Sequence, residues 1–231
     1  MQMPAALRLP RLEDCRADLV GDASFWVASM CTSSYGFEAR RLEASCEAWG
    51  VCCGVARVAE DAASEIAGGA TVDSRTRRLR LIASKPLFIL RTLQASPLPV
   101  AWLDVDLEFH QYPELFLSDS WPDGSRDVAV FNYWANETNL TFRHTPNIGS
   151  AVAYFNTTMR AKSLLRAWAQ AMAWDSNTHA PDDQTQYRRS ALSHRSAVAP
   201  ACLTDAGRRH HRARAFEEVL NLRHGQTAAR G

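Results

Sequence analysis

The sequence lacks any run of about 18 uninterrupted apolar residues, so nothing in it reads as a membrane-spanning helix. Its first residues, MQMPAALRLPRLEDCRADL, have no apolar core of the kind a secretory signal carries. A concentrated basic face is also missing. The formal charge is +1 and the pI near 7.7, whereas phosphate-dominated binding of nucleic acid needs clustered cations. The one basic cluster, RRHHRARA at 208–215, reads as a solvated helix face. Six cysteines occur without a single C-x-x-C pair, which removes the usual zinc and thioredoxin-type signatures. Most of them read as small buried apolar residues. No internal repeat or low-complexity segment appears.

What is present is the composition of an ordinary globular protein: 231 residues, 46% hydrophobic and 22% charged, enough for one sizeable domain with a real core. Three asparagines, Asn136, Asn139 and Asn156, sit in N-x-S/T sequons that would suit a secretory compartment, although Thr157 or Thr158 is equally explained as a helix cap.

Along the chain, FWVASMCT (25–32) reads as a buried strand. In FEARRLEASCEAWG, Leu42, Cys46 and Trp49 recur at helical spacing, and Gly50 stands where a helix-ending glycine belongs. VCCGVARV reads as a second strand, which makes a βαβ start and predicts a parallel sheet with covering helices. Residues 59–80 show no clean periodicity and are expected to be loop or variable helix. Ser84 and Pro86 suggest the N-cap and early proline of a helix through LFILRTLQ. PLPVAWLDVD, DVAVFNYW and SAVAYFN read as three further strands, and MRAKSLLRAWAQAMAW as an amphipathic helix.

The strand VAWLDVD raises the functional question. Residues i and i+2 of a strand share a face, so Asp104 and Asp106 are expected to project together while Val105 packs behind them. Two adjacent carboxylates repel unless a cation joins them. Open α/β sheets bind ligands beyond the carboxyl ends of their strands, and a hard divalent cation held by one or two carboxylates plus substrate phosphate oxygens suits that place. The pattern therefore points to metal-assisted handling of a phosphate leaving group. With 14 aspartates in the chain a D-x-D arises by chance on the order of once, so the tripeptide matters only through its context.

That context resembles the nucleotide-diphospho-sugar transferases, glycosyltransferases of the GT-A fold, from about residue 25 to 190. The motifs follow in order: Thr32-Ser-Ser-Tyr35 before a helix, Lys85 in SKPLFIL, VAWLDVD with Pro113 behind it, TPNIGSAVAYFNTT, and APDDQTQ. Ile148 stands where the family usually has Ser, and the family's late histidine is matched loosely, by His224.

The resemblance implies a single GT-A-like, Rossmann-like α/β domain over 1–231, with a mostly parallel sheet flanked by helices. It implies a metal-dependent glycosyltransferase that moves a hexosyl or pentosyl group from a UDP- or GDP-sugar to a glycan or protein acceptor, without nucleic acid. Asp104, Asp106 and His224 would hold Mn²⁺ or Mg²⁺. Thr32, Tyr35, Lys85, Asp104 and Gln184 would bind the donor nucleotide, while Asn147, Asp182 and Asp183 would serve the transferred sugar and acceptor. It also implies the Golgi lumen for a secretory-pathway parent, and the cytoplasm otherwise.

Each residue also has a plainer reading. Asp182-Asp183 after Pro181 suits a helix start, Lys85 and His224 read as surface residues, and Asn147 before a turn is common. Two other functions use the same residues. A haloacid-dehalogenase-type phosphohydrolase would take Asp104 as nucleophile, although Glu108 stands where that motif continues into Thr or Val. A non-catalytic relative would bind a nucleotide-sugar without turnover, and would have little use for a costly acidic pair.

Overall fold

The computed structural model describes residues 9–11, 15, 23–58, 74–117, 127–132 and 148–175. Five strands make one sheet: β1 (Trp26–Thr32), β2 (Cys53–Val58), β3 (Val100–Leu103), β4 (Val128–Asn132) and β5 (Ile148–Phe155). Among the described residues three helices cover it: α1 (Gly36–Ala48), α2 (Ser74–Ala95) and α3 (Met159–Asp175). The strand order is β2-β1-β3-β5-β4. β1 pairs in parallel with both β2 and β3, and β5 runs antiparallel to β3 and β4, so four of the five strands point the same way. This is the mostly parallel α/β sheet that the sequence predicts.

Burial on both faces explains the nearly continuous apolar strands. On one face Trp26, Ala28, Met30, Val100, Trp102, Ala153 and Phe155 pack with Phe88, Ile89 and Leu93 of α2 and Leu164, Leu165 and Trp168 of α3. On the other, Val27, Ala101, Leu103, Val152 and Tyr154 pack with Leu42 and Cys46 of α1. α1 and α2 therefore lie on opposite faces, and the chain leaves β1 in one direction to β2 and reaches its other flank at β3. That reversal makes the β1/β3 boundary a topological switch point, the place where open α/β sheets bind ligands.

Local signals set several boundaries. Gly50 has φ 65°, the left-handed conformation that lets the chain leave α1 without a Cβ penalty. Thr158 caps α3: its hydroxyl accepts from the Ala161 N–H at 3.3 Å and donates to Asp127 at 2.6 Å. Cys15 is disulfide-bonded to Cys52, a pairing that no spacing in the sequence announces. Cys31 and Cys46 are free and buried.

α2 departs from expectation. It begins at Ser74, with Ser84 and Pro86 inside it. Ser84 caps nothing; its hydroxyl donates back to the Leu81 carbonyl at 2.7 Å. An interior proline costs a helix about 3 kcal/mol. Phe88, Ile89 and Leu93 are each fully buried beyond it, and burial of such side chains returns roughly 1.5–3 kcal/mol apiece. Packing on the sheet outweighs the lost hydrogen bond, so the helix continues through Pro86.

Leu165, fully buried between α3 and the sheet, is expected to lose about 2–5 kcal/mol of stability on substitution by Ala. Denaturant unfolding followed by far-UV circular dichroism measures this.

Candidate active site

β3 ends at Leu103, one residue before the acidic segment. The Asp104 N–H still donates to the Ala151 carbonyl of β5 at 2.8 Å, after which the Leu107 N–H turns back to the Asp104 carbonyl at 3.1 Å. Asp104 and Asp106 therefore stand on a turn at the carboxyl end of β3, and not on the strand face that alternation predicts. The cause is Val105, which packs inward against Cys31 and Ala39 as expected and curls the chain over the end of β1. Nor is the pair buried: the Asp104 side chain is 36% exposed and Asp106 is exposed.

Asp104 is the most tightly held polar group there. Its Oδ1 accepts from the Trp102 indole Nε1–H at 2.9 Å and pairs with Lys85 Nζ at 3.0 Å. Lys85 is 5% exposed. Its ammonium also lies 3.5 Å from Ser150 Oγ and 5.4 Å from the centre of the Trp102 ring. A buried ammonium is costly without a charge partner, and Asp104 supplies one. Lys85 is thus no surface lysine, and it lies within α2 instead of opening a helix. Of the chain's 26 lysines and arginines only two are lysines, Lys85 and Lys162.

Asp106 behaves differently. Partial withdrawal from water raises its pKa above the ordinary aspartate value, and the charge of Asp104 raises it further. Lys85 opposes this, while Glu38 in the first turn of α1 adds to it. One Glu38 oxygen, Oε2, is buried with no hydrogen-bond partner among the described residues. Beside this group Arg41 grips Glu108 through two contacts, 3.0 Å and 2.6 Å, holding the Glu108 carboxyl below its usual range. Glu38, Arg41, Glu108, Trp102 and Ser150 were all missed in the sequence as members of this site. Trp102 was within reach, since it precedes Asp104 by two residues; Ser150 comes from β5, and no local pattern announces that pairing.

As a cation site the segment offers two hard oxygen donors. The mutual repulsion that raises Asp106 is the kind a divalent ion relieves, and both Asp104 contacts above fall on Oδ1. Carboxylates in this number suit Mg²⁺ or Mn²⁺ completed by water and phosphate. Among the described residues no group of three or more His, Cys, Asp or Glu side chains is arranged around a metal.

Thr32 closes β1 at the switch point, its Oγ1 2.8 Å from Ser34 Oγ. Tyr35 ends the following 3-10 turn with its side chain 38% exposed. The structure thus gathers Lys85, Asp104 and Asp106 at one strand end, and sets Thr32 and Tyr35 after the neighbouring strand. Asn147, Asp182, Asp183, Gln184 and His224 lie outside the described residues, as do Asn136 and Asn139. No helix among the described residues is long and apolar enough to cross a membrane.

No protein-family model matches this sequence, and no curated protein matches it. Among solved structures it is similar to the apo form of mouse xyloside xylosyltransferase 1, at 14% identity and a TM-score of 0.43, over 84% of this chain and 93% of that one. It is also similar to apo WbbM, a bifunctional glycosyltransferase, at 10% identity and a TM-score of 0.40, over 64% of this chain and 34% of that one. Likenesses this distant leave the site to be read from its own geometry.

The raised pKa of Asp106 fixes a sign. A carboxyl that binds its proton more tightly when folded contributes stability at low pH, and that contribution is lost as pH rises through the folded pKa. Asp106→Asn is therefore expected to raise the thermal midpoint at neutral pH, with the gain vanishing on acidification below the ordinary aspartate range. A thermal unfolding series against pH checks this; a variant less stable than wild type at neutral pH contradicts it.

Proposed function

We propose that this chain is a metal-dependent glycosyltransferase of the GT-A type, moving a sugar from a nucleotide-diphosphate donor to a glycan or protein acceptor. The observation that carries the reading is the Lys85–Asp104 pair at the switch point. Two residues on different elements, each singled out by the same motif order, meet at 3.0 Å beyond the end of β3, where α/β sheets bind nucleotides.

Asp104, through Oδ2, and Asp106 would hold Mn²⁺ or Mg²⁺, with His224 adding a nitrogen ligand. When bound, the ion supplies neutralisation of the charge developing on the departing nucleoside diphosphate. The remaining work belongs to side chains. Lys85 carries positive charge to the floor of the site without reaching into it, and fixes one Asp104 oxygen so that the other faces outward. Thr32 and Tyr35 flank the nucleotide, with Gln184 also on the donor. Asn147, Asp182 and Asp183 would serve the transferred sugar and the acceptor hydroxyl, an aspartate acting as base or steadying an oxocarbenium-like centre.

The test is release of nucleoside diphosphate from a panel of UDP- and GDP-sugars, with Mn²⁺ and after chelation. Wild type is expected to turn over one donor in a metal-dependent manner, and Asp104→Ala to lose on the order of a hundredfold or more in kcat/KM. Phosphate release from phosphomonoesters with a trapped aspartyl adduct would instead establish the phosphohydrolase. Nucleotide-sugar binding without turnover would establish the binding-only relative.

A further inference from the structure

We infer that Trp102 is a positioning residue: its indole clamps Asp104 and Lys85 together, so that the carboxylate meets its ligand in one fixed orientation. Only the functional consequence of this rests on the proposed donor site. Three contacts carry the inference. The Trp102 N–H donates to Asp104 Oδ1 at 2.9 Å, its ring faces the Lys85 ammonium at 5.4 Å, and that ammonium reaches the same Oδ1 at 3.0 Å. One oxygen thus receives a neutral and a charged donor, both anchored in the core.

The anchoring is rigid for a stated reason. Trp102 is 2% exposed and packs edge-to-face on Phe88 of α2, ring centres 5.7 Å apart, so the indole has no room to swing. A buried indole N–H needs an acceptor, and Asp104 is the one it has. The ammonium gains from the ring face because water is excluded there. Lysine also suits the place better than arginine, since a compact ammonium fits over one ring against one oxygen, while a guanidinium presents a wider planar fork. In a chain with only two lysines among its 26 lysines and arginines, one of them occupies this position.

The scarcity of lysine makes the clamp measurable. With Lys85 and Lys162 as the only lysine amines, acylation by an N-hydroxysuccinimide ester, read by peptide mass spectrometry, reports Lys85 against Lys162 as internal reference. In wild type Lys85 is expected to react far more slowly than Lys162. Trp102→Phe keeps an aromatic ring and removes the N–H with the rest of the pyrrole half of the indole; loss of a hydrogen bond to a charged group is expected to speed Lys85 labelling roughly tenfold or more. Asp104→Ala, whose change lies at the rim and which removes the acceptor of both donors, is expected to do the same from the other end. In the double variant the two effects should not add, because they remove one interaction. The same non-additivity is expected in donor binding, where Trp102→Phe raises the Kd roughly tenfold in the wild-type background and leaves it unmoved when residue 104 is already Ala.

Lys85 labelled as slowly in both single variants as in wild type overturns the clamp, as does a Trp102→Phe effect of equal size with and without Asp104. If Trp102→Phe does not fold, exchange of the Trp102 indole proton decides: slow exchange in wild type that becomes fast in Asp104→Ala upholds the clamp, and equal exchange in the two overturns it. If wild type binds no nucleotide-sugar, the proposed function fails and the labelling cycle still judges the clamp.

Discussion

The structure depends on one requirement, that the ammonium of Lys85 be neutralised where it is buried. An unpaired charge in a dry interior costs several kcal/mol, a large share of a domain's whole stability. Lys85 comes from the middle of α2, on the face of the sheet opposite α1, and its counter-charge comes from the turn after β3. Meeting that requirement ties helix, strand end and β5 together at one point, since Ser150 and the Ala151 carbonyl join the same group. The acidic turn is therefore built into the core at one side while its other side faces solvent.

Charge also distinguishes the two aspartates. Asp104 is matched by a lysine and an indole N–H. Asp106 has no such partner among the described residues, and its proton is held more tightly because water is partly withdrawn and Asp104 and Glu38 lie near. Among the described residues, Asp104, Asp106 and Glu38 set three carboxylates near the one ammonium of Lys85. On the proposed function, a cation approaching with a diphosphate would meet two carboxylates, one of them held by Lys85 and Trp102.

Much of this was legible in the sequence. The apolar runs of β1 and β3, the spacing of Leu42 and Cys46, the glycine at 50 and the threonine at 158 each act through their immediate neighbours, so a one-dimensional reading finds them. The turn at Asp104 was not legible. Alternation extends a strand for as long as residues alternate, but β3 ends where Val105 finds a pocket made by Cys31 and Ala39, residues more than sixty positions away in the chain. α2 was misjudged for a related reason. Ser84 and Pro86 carry the local chemistry of a helix start, whereas Phe88, Ile89 and Leu93 packing on the sheet hold the helix together through them. Lys85 read as a surface residue because nothing next to it in sequence announces Asp104. The motif order nevertheless brought Lys85, Asp104 and Asp106 into one hypothesis.

The central claim is that Asp104 presents one fixed oxygen outward while Lys85 and Trp102 hold the other. A crystal structure of the chain grown with Mn²⁺ and a nucleoside diphosphate tests it most directly, through anomalous scattering from the ion. The account predicts manganese between Asp104 Oδ2 and Asp106, with Lys85 and the Trp102 indole still on Oδ1. Manganese bound away from both aspartates, or Lys85 released from Asp104 to contact the diphosphate, would contradict it.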